Sequence, residues 1–201
     1  VRVVNFFRAN ETVYMVMAYE EGRSLQELIL RNRNRPDKIV ISERHVRAVF
    51  AQVMNGLREV HANRMLHLDL KPANIYMRLD GSPTLLDFGA ARQTLTADAP
   101  KLFPMYTPGF AAPELYKKSQ QLGPWTDVYS IGASMFACMM GAPPQPADQR
   151  DLNDKMPALY EQLRERYSSS LVDLIDACLN LDPLKRPQSV FALQKRLRES
   201  D

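Results

Sequence analysis

Apolar and polar positions change period three times along this chain. Val1–Phe7 and Thr12–Tyr19 are dense in β-branched and aromatic residues, separated by Arg8-Ala9-Asn10-Glu11. That pattern predicts an antiparallel hairpin. Ser24 is placed to cap a short helix from Leu25 to about Arg31. The polar stretch from residue 31 to 38, RNRNRPDK, then reads as a solvated loop. Ser42 is placed to cap a long helix, and from there the period becomes helical. Val46, Val49, Phe50, Val53, Met54, Leu57 and Val60 form one stripe of this helix, which ends near Asn63. Short apolar pieces follow, with Asp80-Gly81 as a turn between two strands. Residues 90–113 lack a period and carry Pro100, Pro104, Pro108 and Pro113, which predicts a long functional loop. Thr126 or Asp127 begins a helix that runs to about Met140 and is apolar on all sides, so it belongs at the centre of the domain. Three further helices are expected over roughly 155–166, 169–180 and 188–199. Strands first and helices after give an α+β chain that is mainly α.

Composition narrows the class without choosing a function. The chain has 201 residues, about one domain, with 45% hydrophobic and 24% charged residues. Those proportions exclude disordered and collagen-like classes. A net charge of +3 gives no basis for a nucleic-acid partner. The longest apolar run, Ile131–Ala142, is too short to span a bilayer. Cys138 and Cys178 lie in apolar helical stretches and read as reduced core residues, which fits a cytoplasmic location. The chain opens on Val1 with strand-like sequence already under way, and is expected to be a piece of a longer polypeptide.

The candidate chemistry sits in His67-Leu68-Asp69-Leu70-Lys71-Pro72-Ala73-Asn74 and, after a short strand, in Asp87-Phe88-Gly89. Ala112-Pro113-Glu114 follows. Phosphoryl transfer needs a carboxylate to orient a hydroxyl, hard oxygen ligands for Mg²⁺, and positive charge near the moving phosphate. Asp69, then Asn74 with Asp87, and Lys71 answer those needs.

These segments, with the DVYSIG stretch that starts at Asp127, resemble the catalytic-loop, metal-loop, activation-segment and central-helix motifs of eukaryotic-type protein kinases. The resemblance covers nearly the whole chain. It implies a kinase large lobe over residues 21–201, preceded by a leftover small-lobe hairpin and hinge over residues 1–20. Asp69 would be the catalytic base, Lys71 would steady the γ-phosphate, and Asn74 and Asp87 would hold Mg²⁺. Thr107 would contact Asp69 and Lys71. Glu114 and Arg186 would form a buried structural ion pair, and Asp127 would brace the catalytic-loop backbone. In the hinge, Met17 would be the gatekeeper, and the backbone of Ala18 and Glu20 would pair with the adenine of ATP. Tyr76 would lie beneath the ring, with Ile75 and Met77 turned into the core. Asp-Leu-Lys-Pro at Asp69–Pro72 is the serine/threonine form, so the implied partner is a protein carrying serine or threonine.

Two departures stand out. Leu68 occupies the place of an arginine that reads a phosphate on the activation loop, so phosphorylation at Thr94 or Thr96 would not be read by that pair. The 201 residues hold no glycine-rich loop, ATP-binding lysine or helix-C glutamate, so the implied partner also includes a missing small lobe, and the chain by itself is expected to bind ATP weakly and to transfer little or no phosphate. A pseudokinase scaffold and a small-molecule kinase are the other readings. Lys71, Pro72, Glu114 and Arg186 count against the second. His67 reads as a packed structural residue stacked with Phe88, and His45 and His61 read as non-ligands.

Overall fold

The computed structural model describes residues 3–34, 39–86, 92–93, 106–117 and 121–199. The expectations placed on Asp87, Phe88, Thr94, Thr96, Pro100 and Pro104 lie outside them, as do Val1 and residues 35–38.

Strands β1 (Val3–Ala9) and β2 (Thr12–Met17) form the predicted hairpin, with Phe7 opposite Tyr14 and their rings stacked at 5.0 Å. The turn is tighter than the four residues 8–11 suggested. Asn10 and Glu11 alone make it, both at positive φ, 50° and 57°. That is the two-residue geometry that matches strand twist, and asparagine tolerates it. Tyr19, expected in the second strand, lies beyond its end.

Strand β3 (Gly22–Ser24) pairs with β5 (Ile75–Arg78), which pairs with β6 (Pro83–Leu85). Gly22 is required there: a Cβ would fall 2.1 Å from the Met77 carbonyl oxygen. Helix α1 (Leu25–Asn32) carries a full capping box. Glu27 N–H donates to Ser24 Oγ, and Ser24 N–H donates to the Glu27 carboxylate, both at 3.2 Å. Helix α2 (Glu43–Ala62) starts after Ser42 as expected, but Ser42 does not cap the backbone. Its hydroxyl meets His45 Nδ1 at 2.6 Å instead.

Strand β4 (Met65–Leu66) pairs with β7 (Arg92–Gln93), a contact the sequence pattern did not announce. Two short helices between the expected elements, α3 (Pro113–Tyr116) and α5 (Ala147–Arg150), were also unannounced.

Helix α4 (Pro124–Met140) begins two residues before Thr126. Pro124 supplies the first helical position, and Gly123 N–H donates to the Thr126 hydroxyl at 3.2 Å. Every residue from Thr126 to Met139 is buried, so α4 is the axis of the domain. Against it pack α2, α7 (Ser169–Cys178) and α8 (Val190–Glu199), with α6 (Met156–Arg164) on α7. Gly132 permits the closest approach: a Cβ there would lie 2.4 Å from the Cys178 Cβ. Cys138 and Cys178 are buried free thiols, and burial raises the pKa of both. Met135, Met139 and Phe136 are fully buried core residues, as their spacing implied.

Candidate active site

The segment from Leu66 to Asn74 gains its shape from α4. The Asp127 carboxylate, fully buried, accepts the backbone N–H groups of His67 (2.9 Å, Oδ2) and Leu68 (2.9 Å, Oδ1). Leu68 sits at φ 64°, an uncommon conformation for a side chain that is not glycine. These two bonds hold it there, and the turn aims the following residue, Asp69, outward. His61 completes the brace, with Nε2 2.7 Å from Asp127 Oδ2. The sequence reading of His61 as no metal ligand stands untouched by this contact, which is a structural one. The partner of His61 lies 66 residues away in the chain, a distance no local spacing can signal.

Leu68 is itself buried, packed with Leu66, Ala111 and Leu115 in a small apolar cluster. Where the resemblance implied an arginine, apolar packing joins the catalytic loop to the segment before α3. His67 is completely buried, consistent with a structural role.

Asp69, Lys71, Asn74 and Thr107 meet at one point. Lys71 Nζ donates to Asp69 Oδ2 at 2.8 Å and to Thr107 Oγ1 at 2.7 Å. The Thr107 hydroxyl donates to Asp69 Oδ1 at 2.9 Å. Asn74 Nδ2 donates to the Asp69 backbone carbonyl at 2.8 Å and to Oδ2 at 3.3 Å. Asp69 and Lys71 side chains remain 17% and 23% exposed, enough for a substrate to reach them. Charge-assisted bonds on both carboxylate oxygens fix the rotamer of Asp69 before any ligand arrives.

Among the described residues, the donor set suits Mg²⁺ in part. Asn74 commits its amide nitrogen to Asp69, which leaves its oxygen as a hard ligand of the type Mg²⁺ takes. Leu86 N–H donates to the Asn74 carbonyl at 2.8 Å, so the residue before Asp87 is fastened to Asn74.

At the hinge, Met17 ends β2 and is 47% exposed. Ala18 and Glu20 follow it. The Tyr76 hydroxyl donates to the Glu20 carbonyl at 3.0 Å, and Arg78 Nε pairs with the Glu20 carboxylate at 3.1 Å. The Glu20 carbonyl thus accepts a bond from Tyr76, which joins the segment after β2 to β5. Ile75 is completely buried and Met77 packs on the core, so the alternation of β5 turns Tyr76 the other way.

The Glu114–Arg186 pair lies under the site. Arg186 makes two parallel bonds to Glu114, at 2.8 and 3.0 Å, and both side chains are fully buried. The Thr126 hydroxyl adds a third bond to Glu114 at 2.9 Å, and the Arg186 guanidinium lies 5.0 Å from the centre of the Tyr129 ring. This network ties α3 to α4 and to the turn before α8.

The protein kinase domain family model matches residues 1–197. Relatives include serine/threonine-protein kinase SMU1 of Mycosarcoma maydis, 28% identical over 95% of this chain and 26% of the relative. Serine/threonine-protein kinase STE20 of Candida glabrata is 30% identical over 92% of this chain and 20% of that protein. A solved structure, "PpkA-294 apo form", superposes with a TM-score of 0.79 at 31% identity, covering 97% of this chain and 66% of that one. The chain spans 26% and 20% of the length of these two curated relatives. With the family match running almost end to end, the chain belongs to the protein kinase domain family.

Proposed function

We propose that the protein transfers the γ-phosphate of Mg-ATP to serine or threonine hydroxyls of a protein substrate. The observation that carries this reading is the convergence of Lys71, Asn74 and Thr107 on Asp69, all within 2.7–3.3 Å of the groups they touch. ATP with Mg²⁺ would supply the activated phosphoryl group, with Asn74 and Asp87 as the metal's protein ligands. Asp69 orients the acceptor hydroxyl and receives its proton on a carboxylate oxygen. Lys71 places a fixed positive charge where negative charge gathers on the transferring group. Thr107 holds Asp69 and Lys71 at a set separation, so little reorganisation is needed when substrate arrives. Met17, Ala18, Glu20 and Tyr76 form the nucleotide edge of the site.

The catalytic loop sits on an apolar cluster through Leu68, so its placement does not depend on a phosphate–arginine contact at that position. The buried thiols Cys138 and Cys178 suit a reducing, cytoplasmic setting. The hairpin, exposed on both faces, is consistent with a small lobe that lies against it.

Incubation of the protein, extended upstream by the small lobe that the resemblance implies, with radiolabelled ATP and Mg²⁺ tests the reading. Label is expected on serine and threonine of an added protein, and chelation of Mg²⁺ should abolish it. Label confined to tyrosine or to a small alcohol would overturn the assignment. No transfer by a folded protein would favour the pseudokinase reading.

A further inference from the structure

We propose that the cavity beside Lys71 and Thr107 receives an apolar side chain of the protein substrate, from a residue close to the one that accepts the phosphate. The proposal rests on the transfer reading above and adds a substrate class to it.

The cavity holds about 370 Å³ and shares Lys71 and Thr107 with the Asp69 cluster. A polypeptide whose hydroxyl reaches Asp69 therefore passes its mouth. At roughly 3.3–3.6 Å per extended residue, only near neighbours of the acceptor are in range. Ile29 and Leu30 of α1 form one wall, and Pro72, Phe110, Ala137 and Pro143 supply further apolar surface.

The cavity is preformed. Phe110 N–H donates to the Thr107 carbonyl at 3.1 Å, and the Phe110 carbonyl accepts from the Ser130 hydroxyl at 2.9 Å. Gly109, at φ 88°, lets this segment lie on the proline pair, where a Cβ would come within 2.9 Å of the Pro144 carbonyl oxygen.

Charge decides between occupants. Among the described residues that line the cavity, Lys71 is the one charged group, and none is a carboxylate. An arginine or lysine from the substrate would lose water here with no acid to receive it, beside a like charge. An aspartate or glutamate would find Lys71 already bonded to Asp69 and Thr107, with Gln26 as the other polar side chain in a mainly apolar lining. A leucine-like side chain meets no such penalty and gains the apolar walls.

Serine peptides in a neutral background test this, with leucine, arginine, aspartate or alanine placed in turn at each of the three positions on either side of the acceptor. Transfer by the intact protein is read as kcat/KM, and binding of the same peptides is read separately by fluorescence anisotropy. Leucine at one position should exceed alanine there by about ten-fold or more, the scale at which hydrophobic pockets discriminate. Arginine and aspartate should show no such gain. Leu30 is 46% exposed on α1, so Leu30→Glu should fold normally. It should turn the preference at that position from leucine towards arginine. A flat profile, an arginine or aspartate preference in the unsubstituted protein, or a profile unmoved by Leu30→Glu would overturn the proposal. If no peptide is phosphorylated, the transfer reading fails, and the anisotropy series still decides the cavity. Tighter binding of the leucine peptide supports it, and equal binding of all four refutes it.

Discussion

Along α4, every residue from Thr126 to Met139 is buried, whereas in the β1–β2 hairpin every residue is exposed. Both segments are rich in apolar side chains, so hydrophobicity alone does not separate them. The difference lies in what surrounds each one. Helices α2, α7 and α8 enclose α4 from within the chain. The hairpin packs mainly on itself, and Phe6, Phe7, Val13 and Met15 are all exposed. The candidate active site belongs to the first region. Asp127 projects from α4 to shape the catalytic loop, and Thr126 joins the ion pair beneath it. The proposed nucleotide edge belongs to the second, where Met17 ends an exposed strand. The comparison teaches that the residues proposed for transfer are held by the helical body, while the proposed nucleotide edge lies beside a hairpin that this body leaves exposed.

Four substitutions sharpen or break this contrast. The largest effect is expected in the body. Arg186→Ala leaves the buried Glu114 carboxylate without its partner and should cost about 3–5 kcal/mol. For a chain of this size that is a fall in Tm of roughly 6–20 °C. Replacing both partners with apolar residues should recover much of the loss. If calorimetry gives less than about 1 kcal/mol for the single change, the pair is not the anchor described here.

Next comes Gly132→Ala. Alanine in a helix interior normally stabilises by roughly 0.5–1 kcal/mol relative to glycine. Here the added methyl meets Cys178, and overpacking should reverse the sign to a loss of about 1–3 kcal/mol. A gain in denaturant midpoint would show that α4 and α7 are looser than they look.

The third effect depends on pH. Burial pushes the Glu43 carboxyl up, but the Ser168 hydroxyl and N–H and the Arg47 guanidinium outweigh it and hold the pKa below its usual value. A lowered folded pKa stabilises the protein above the unfolded value, near 4.5, and that contribution is lost as pH falls through the folded value. Thermal scans from pH 6 to pH 3 should therefore fall less steeply for Glu43→Gln than for the unsubstituted chain. Parallel curves would contradict the assignment.

The smallest effect is expected in the hairpin. Phe7→Ser should change the stability of the body by no more than about 0.5 kcal/mol, the range for exposed positions. It should reduce self-association, because it removes part of an exposed apolar patch. A large fall in Tm would mean that the hairpin is integrated with the helices after all.

What could be read from residues alone follows the same division. The stripe on α2 and the unbroken apolar run of α4 are local patterns, and burial favours the elements they predict. The order of Asp69, Lys71 and Asn74 within one loop is local as well. The misses are contacts between distant residues. His61 meets Asp127, Thr126 meets Glu114, and β4 pairs with β7 across a long separation. Helix boundaries shifted for a related reason. The start of α4 depends on Pro124 and on a bond from Gly123 to a threonine three residues on, which apolar periodicity does not register. The capping role given to Ser42 failed because His45, one turn away, offered its hydroxyl a competing partner.

The central claim is that Asp69, positioned by the helical body, governs phosphoryl transfer to serine or threonine. The most direct measurement compares transfer from Mg-ATP by the intact protein and by its Asp69→Asn variant, with circular dichroism and Tm recorded for both. The account predicts a rate lower by roughly 10²–10⁴-fold, the usual scale for a positioned acid–base group, with both proteins equally folded. Equal rates in the two folded proteins would contradict it.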